Sequence, residues 1–158
     1  MTATTRAGAS APHALLYGTL AVGILDLLDA FLFFGIRSGV RPVRILQSIA
    51  AGVLGRAAFT GGWPAALLGL ALHFFIASMV VLVYLLASRR LPLLIRYAVP
   101  AGLLYGIAVY LTMTFVVVPA SAAGGGAVPA WPVALNGVLI HMFGVGLPAA
   151  LAARAENP

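Results

Sequence analysis

The sequence predicts an all-α integral membrane protein: four transmembrane helices arranged as two similar hairpins, with one shorter helix between the first and second spans. Three observations predict it. Of 158 residues, 63% are hydrophobic and only 8% charged, and the mean hydropathy is +1.10. A soluble domain carries about 25% charged residues, so this chain cannot cover a water-facing surface and the bilayer must be its solvent. Four apolar runs are long enough to cross a hydrocarbon core of about 30 Å. Finally, one pattern occurs twice: Trp63-Pro64 through His73 and Trp131-Pro132 through His141 both read W-P-x-A-L-x-G-x-x-x-H.

Residues 1–12 are small and polar around Arg6 and read as a disordered tail. The first span runs over 13–36. It is too long for a signal peptide, carries Asp26 and Asp29, and lacks a small-x-small cleavage site after it. Arg37, Arg41, Arg44 and Arg56 then frame a short apolar pattern, with Pro42 to start a helix and Gly61-Gly62 to end it. This predicts a non-spanning helix over 43–58, amphipathic at the interface or re-entrant against the bundle, with Ser48, Ala51, Gly52 and Gly55 as its small packing face. The second span covers 64–87 and is closed by Ser88-Arg89-Arg90. Leu91-Pro92 makes a tight connection, and the third span covers 93–118. The loop 119–130 carries no charge and contains Gly124-Gly125-Gly126. The fourth span covers 132–153, with Pro148 as a kink site, and 154–158 form a C-terminal tail.

The halves correspond. Leu15-Leu16-Tyr17-Gly18 in the first span matches Leu103-Leu104-Tyr105-Gly106 in the third, and the two W-P-…-H copies match between the second and fourth. Hairpins repeated in the same direction imply a pseudo-twofold axis along the membrane normal. In each copy Trp anchors the interface and Pro occupies a first-turn position whose N–H has no partner anyway. The following His comes about 15 Å later along the helix, near the midplane. Gly69 and Gly137, one turn earlier on the same face, leave room for a neighbouring helix or a flat ligand. Tyr84 and Tyr97 read as further interface anchors.

The composition narrows function more by exclusion than by motif. All nine basic residues are Arg, set mostly in loops and near helix ends where lipid headgroups are the partners. The net charge of +6 is therefore no sign of nucleic-acid binding. With no cysteine there is no disulfide, thiolate metal site or Cys nucleophile. No hydrolase, kinase or nucleotide motif is present and no catalytic residue is assigned; Gly124-Gly125-Gly126 lacks a following Lys. The chain reads as a non-enzyme in a bacterial inner membrane, with the lipid bilayer as its partner and a homo-oligomer or larger membrane complex compatible with its composition. Arg6, Arg89, Arg90, Arg96 and Arg154 fall on one side and Arg37, Arg41, Arg44 and Arg56 on the other. The near-tie, with the uncharged 119–130 loop outside, favours both termini in the cytoplasm.

Asp26 lies at the depth of His73 and His141, and Asp29 one turn nearer the 37–62 side. An Asp at the membrane centre costs about 2.5–3.5 kcal/mol on insertion scales and calls for a partner inside the bundle. The sequence offers His73 and His141 to Asp26, and Arg56 to Asp29, with Tyr110, Thr112, Thr114 and Asn136 completing a polar cluster. Such groups serve as interhelical glue or as an ion or proton path. The alternative is a cofactor: the second and fourth spans are diagonal neighbours in a four-helix bundle, so His73 and His141 could hold a haem between them, or a metal together with Asp26.

Leu25-Asp26-Leu27-Leu28-Asp29, Gln47-Ser48-Ile49-Ala50-Ala51-Gly52, Leu72-His73-Phe74 and His141-Met142-Phe143-Gly144-Val145-Gly146-Leu147-Pro148 together resemble small four-helix bacterial inner-membrane proteins with no assigned activity, over most of residues 14–153. That resemblance implies the architecture and no chemistry.

Overall fold

The computed structural model describes residues 11–124 and 128–156. Residues 1–10 with Arg6, Gly125 and Gly126 of the glycine loop, and 157–158 lie outside the described residues. The described chain is helical and without strands. Four helices are long and apolar enough to cross a bilayer: α1 (Ala11–Ser38), α3 (Gly62–Arg90), α5 (Ala98–Ala120) and α6 (Trp131–Glu156). The protein is thus a multi-pass membrane protein. Between α1 and α3 lies α2 (Pro42–Leu54), 13 residues long, which continues into a 3₁₀ turn, Gly55–Thr60. A single turn, α4 (Leu93–Arg96), connects α3 to α5.

Local chemistry sets these boundaries. α1 stops because Gly39 takes φ +63°, which turns its N–H and that of Val40 back onto the carbonyls of Gly35 and Phe34. Pro42 occupies the first turn of α2, where its missing N–H costs nothing. The third span was expected as one helix from 93. It is instead broken at Tyr97, whose backbone leaves the helical region, because Pro100 has no N–H to donate to the carbonyl of Arg96.

Two wide π turns interrupt the last two spans, Met113–Val117 in α5 and His141–Gly146 in α6. Each ends two residues before a proline, Pro119 and Pro148. A proline ring clashes with the carbonyl four residues back and leaves it without a donor. Widening the preceding turn relieves the clash, and a bulge of this kind recurs at functional sites.

The bundle is packed unevenly along its length. At the end shared by both described termini and the α3–α5 connection, the helices close on a core of small and aromatic residues: Ala14, Val81, Tyr84, Leu85, Ala98, Ala149, Ala150 and Ala153. Tyr84, read from the sequence as an interface anchor, is 1% exposed. Its hydroxyl donates to the Leu94 carbonyl and its ring meets Tyr105 edge-on at 5.0 Å. Trp63 and Trp131 are exposed, as interface anchors should be. An ion pair between Arg89 and Glu156, at 2.8 Å, ties the ends of α3 and α6.

α6 is the central helix, packed against α1, α3 and α5. At Gly102 and Gly106 its seam with α5 brings backbone against backbone. A Cβ on Gly106 would collide with the His141 carbonyl, and one on Gly102 with the Gly146 carbonyl. This is the close backbone approach that Gly-x-x-x-Gly spacing permits between membrane helices, supplemented by Cα–H···O contacts. α2 lies against α3 in the same manner, with the backbone of Leu46 and Ala50 over Gly69 and Ala50, Ala51, Ala65 and Ala66 buried nearby.

Replacing Gly106 with Val should therefore destabilise the fold by more than about 1–3 kcal/mol, since the atom in the way is backbone rather than a movable side chain. Gly35→Ala, whose new Cβ would meet only the Val40 carbonyl at 3.9 Å, should leave stability unchanged or raise it. Thermal unfolding in detergent of the two variants beside the parent checks both.

Candidate functional site

Away from the tight end the helices enclose a cavity of about 430 Å³, with walls from all four spans and from α2. Most of the lining is apolar. The polar groups are those the sequence places in mid-span: Asp26, Asp29, His73, Tyr110, Asn136 and His141, with Ser48 and Thr114 at the margin. Thr112, proposed with them, is exposed on another face of α5. α2 covers one side through Ile45, Ser48 and Ile49. It is held there by three bonds: Gln47 Nε2 donates to the Gly62 carbonyl at 3.1 Å, Arg44 Nη1 donates to the Phe59 carbonyl at 3.1 Å, and the Ala122 N–H donates to the Gly52 carbonyl at 3.0 Å.

The two histidines are engaged differently. His73 Nε2 lies 2.8 Å from the Gly23 carbonyl on α1. A carbonyl only accepts, so Nε2 carries the proton in this bond. His141 Nδ1 lies 2.9 Å from the Gly137 carbonyl, four residues back on its own helix, which fixes the opposite tautomer with Nε2 free. His73 thus joins α3 to α1, while His141 turns inward at the start of a π turn. The Tyr110 ring packs edge-on against His141 at 5.5 Å.

The carboxylates also differ. Asp29 accepts a hydrogen bond from Asn136 Nδ2 at 2.7 Å. The expected partner, Arg56, does not serve: it sits exposed on the 3₁₀ turn, and no ion pair joins it to Asp29 among the described residues. An amide already inside the bundle reaches the carboxylate without moving a guanidinium out of the headgroup region, where its hydration is cheapest. Asp26 Oδ1 lies 4.0 Å from His141 Nδ1, beyond hydrogen-bond range, and that N–H is already given to Gly137. Asp26 has no hydrogen-bond donor among the described residues. No Arg lines the cavity, and each described Arg is exposed.

The residues do not fit a haem. A Cβ on Gly69 would meet the α2 backbone, and one on Gly137 would meet the Tyr110 ring, so the space beside each His is filled by protein rather than open to a flat macrocycle. His73 Nε2 is also spent on the Gly23 carbonyl. Nor do His73, His141 and Asp26 come together as metal ligands: among the described residues no group of three or more His, Asp or Glu is placed to hold an ion.

Sequence reasoning did not find the Gly102–Gly106 seam or the π turns that shape this site. Both had a signal, the Gly-x-x-x-Gly spacing in α5 and a proline within each of the last two spans. Compared with protein-family models, curated proteins and solved structures, the chain matches none.

The Asn136–Asp29 bond should contribute about 1–2 kcal/mol, the range for polar contacts between membrane helices. Asn136→Leu should cost at least that much by stranding the carboxylate. Asp29→Leu combined with Asn136→Leu should cost less than the sum of the two single changes. A double-mutant cycle by equilibrium unfolding in detergent measures the coupling.

Proposed function

We propose that this protein is a small channel- or transport-type membrane component that handles protons or a cation in the cavity around Asp26, Asp29, His73 and His141. The observation that carries this reading is Asp26. Three of the four groups serve an evident packing purpose: Asp29 bonds α6 through Asn136, His73 bonds α1 and His141 caps a carbonyl on its own helix. Asp26 accepts no hydrogen bond among the described residues and has only His141 Nδ1 near it, at 4.0 Å, at a depth where an ionised carboxylate costs several kcal/mol. A group retained at that cost without a structural bond fits a role in binding or passing charge. The ring nitrogens of His73 and His141 that these bonds leave unused belong to the same lining.

The purely structural reading draws on the same bonds of Asp29 and His73, which join helices as glue. It makes Asp26 dispensable, and flux separates the two. In proteoliposomes carrying the purified protein and an internal pH dye, an imposed potassium diffusion potential should drive proton or cation flux. Asp26→Asn should lower that flux about tenfold or more, the effect of removing an interaction worth ~1.4 kcal/mol. Absence of flux from the parent protein would leave the structural reading.

The finer placement belongs to the same proposal. The two hairpins are parallel repeats, α2 is a re-entrant cover packed on α3, and the protein sits in a bacterial inner membrane with both termini cytoplasmic. A homo-oligomer or a larger membrane complex is the corresponding assembly. The chain has no cysteine, so single replacements report sidedness directly. Ser38→Cys and Ala123→Cys should react with an impermeant maleimide from the periplasmic face of intact cells, and Leu91→Cys only after the membrane is opened. The reverse pattern would invert the topology.

A further inference from the structure

The cavity has more definite chemistry than a bare ion path, and it points to a ligand class; this inference rests on the transport reading above. Its volume, about 430 Å³, falls within the roughly 300–1,000 Å³ of small-molecule sites, which combine apolar walls with a few placed polar groups. Here the lining includes two acidic side chains, Asp26 and Asp29, and no Arg among the described residues. A hard inorganic cation needs several oxygen ligands to replace its water, six or more for calcium or magnesium. This site offers too few: Asp29 is engaged by Asn136, and no three-donor cluster forms among the described residues.

A monovalent organic cation has the opposite needs. Its charge is diffuse, it asks for one counter-carboxylate, and its hydrocarbon gains from apolar surface. Asp26 supplies the carboxylate, which accepts no hydrogen bond among the described residues and has only His141 Nδ1 near it, at 4.0 Å. Phe34 and Tyr110 bring aromatic rings to the same lining, and aromatic rings attract ammonium groups. Ile76, Val109 and Val145 supply the walls. We infer that the cavity is a binding site for a lipophilic ammonium, with its nitrogen against Asp26 and its hydrocarbon among the valines and isoleucines.

Calorimetric titration of the full-length protein in nanodiscs tests this, with benzyltrimethylammonium as the probe, benzyl alcohol as an uncharged aromatic and potassium as a small cation. Saturable binding of benzyltrimethylammonium, weakened about tenfold or more in Asp26→Asn and retained in Asp26→Glu, is the expected result, with neither benzyl alcohol nor potassium competing. The Asp26→Glu variant guards against mistaking a folding defect for lost affinity. No saturable binding, or equal binding to parent and Asp26→Asn, overturns the inference. Proton flux that persists while benzyltrimethylammonium neither binds nor inhibits overturns it too and leaves the transport reading intact. Ammonium binding without flux supports the ligand class and removes the transport reading.

Discussion

The close approach of backbones at glycine is the constraint on which the rest of this structure depends. Between membrane helices there is no hydrophobic drive, since lipid is as apolar as leucine, and association rests on packing and polar contacts. Gly102 and Gly106 let α5 touch the backbone of α6 at His141 and Gly146, and Gly69 does the same for α2 on α3. Gly18 admits Val81 and Ala152. Gly23 lies under the Phe74 ring while its carbonyl accepts from His73. Where these contacts gather, the bundle is closed and small residues fill it. Beside these contacts, where bulkier side chains such as Tyr110 and Ile140 line the helices, a cavity remains.

Proline shapes the backbone at the edge of the cavity. Pro119 and Pro148 each force a wide turn just before them, and the turn in α6 begins at His141. The wide turn points the carbonyl of His141 at Gly106 and its ring at the cavity. A feature of backbone hydrogen bonding thus positions a titratable side chain, with no loop or cofactor required.

Residues that match in sequence between the two W-P-…-H stretches and their flanking spans make different contacts. Tyr17 is 64% exposed, while its counterpart Tyr105 is partly buried and donates to the Val80 carbonyl at 2.7 Å. Gly69 receives α2, but Gly137 receives a tyrosine ring from α5. His73 bonds a neighbouring helix and His141 its own. Asp26 and Asp29 sit on α1 only, so the cavity has one acidic wall.

Length, hydropathy and punctuation by Arg, Pro and Gly determined the four spans and the short α2, to within a turn at most ends, because these signals are local and membrane insertion is decided segment by segment. The same local signals singled out Asp26, Asp29, His73, Asn136 and His141, all of which line one cavity. Depth does not fix rotation or partner. That Asn136 and not Arg56 meets Asp29, that Asp26 is left without a donor, that Tyr84 is buried rather than at the interface, and that glycines beside both histidines are filled were decided only by how the helices turn and close on one another. Those choices depend on contacts between residues far apart in the chain, where a change of one position rotates a side chain by about 100° around the helix and exchanges bundle for lipid.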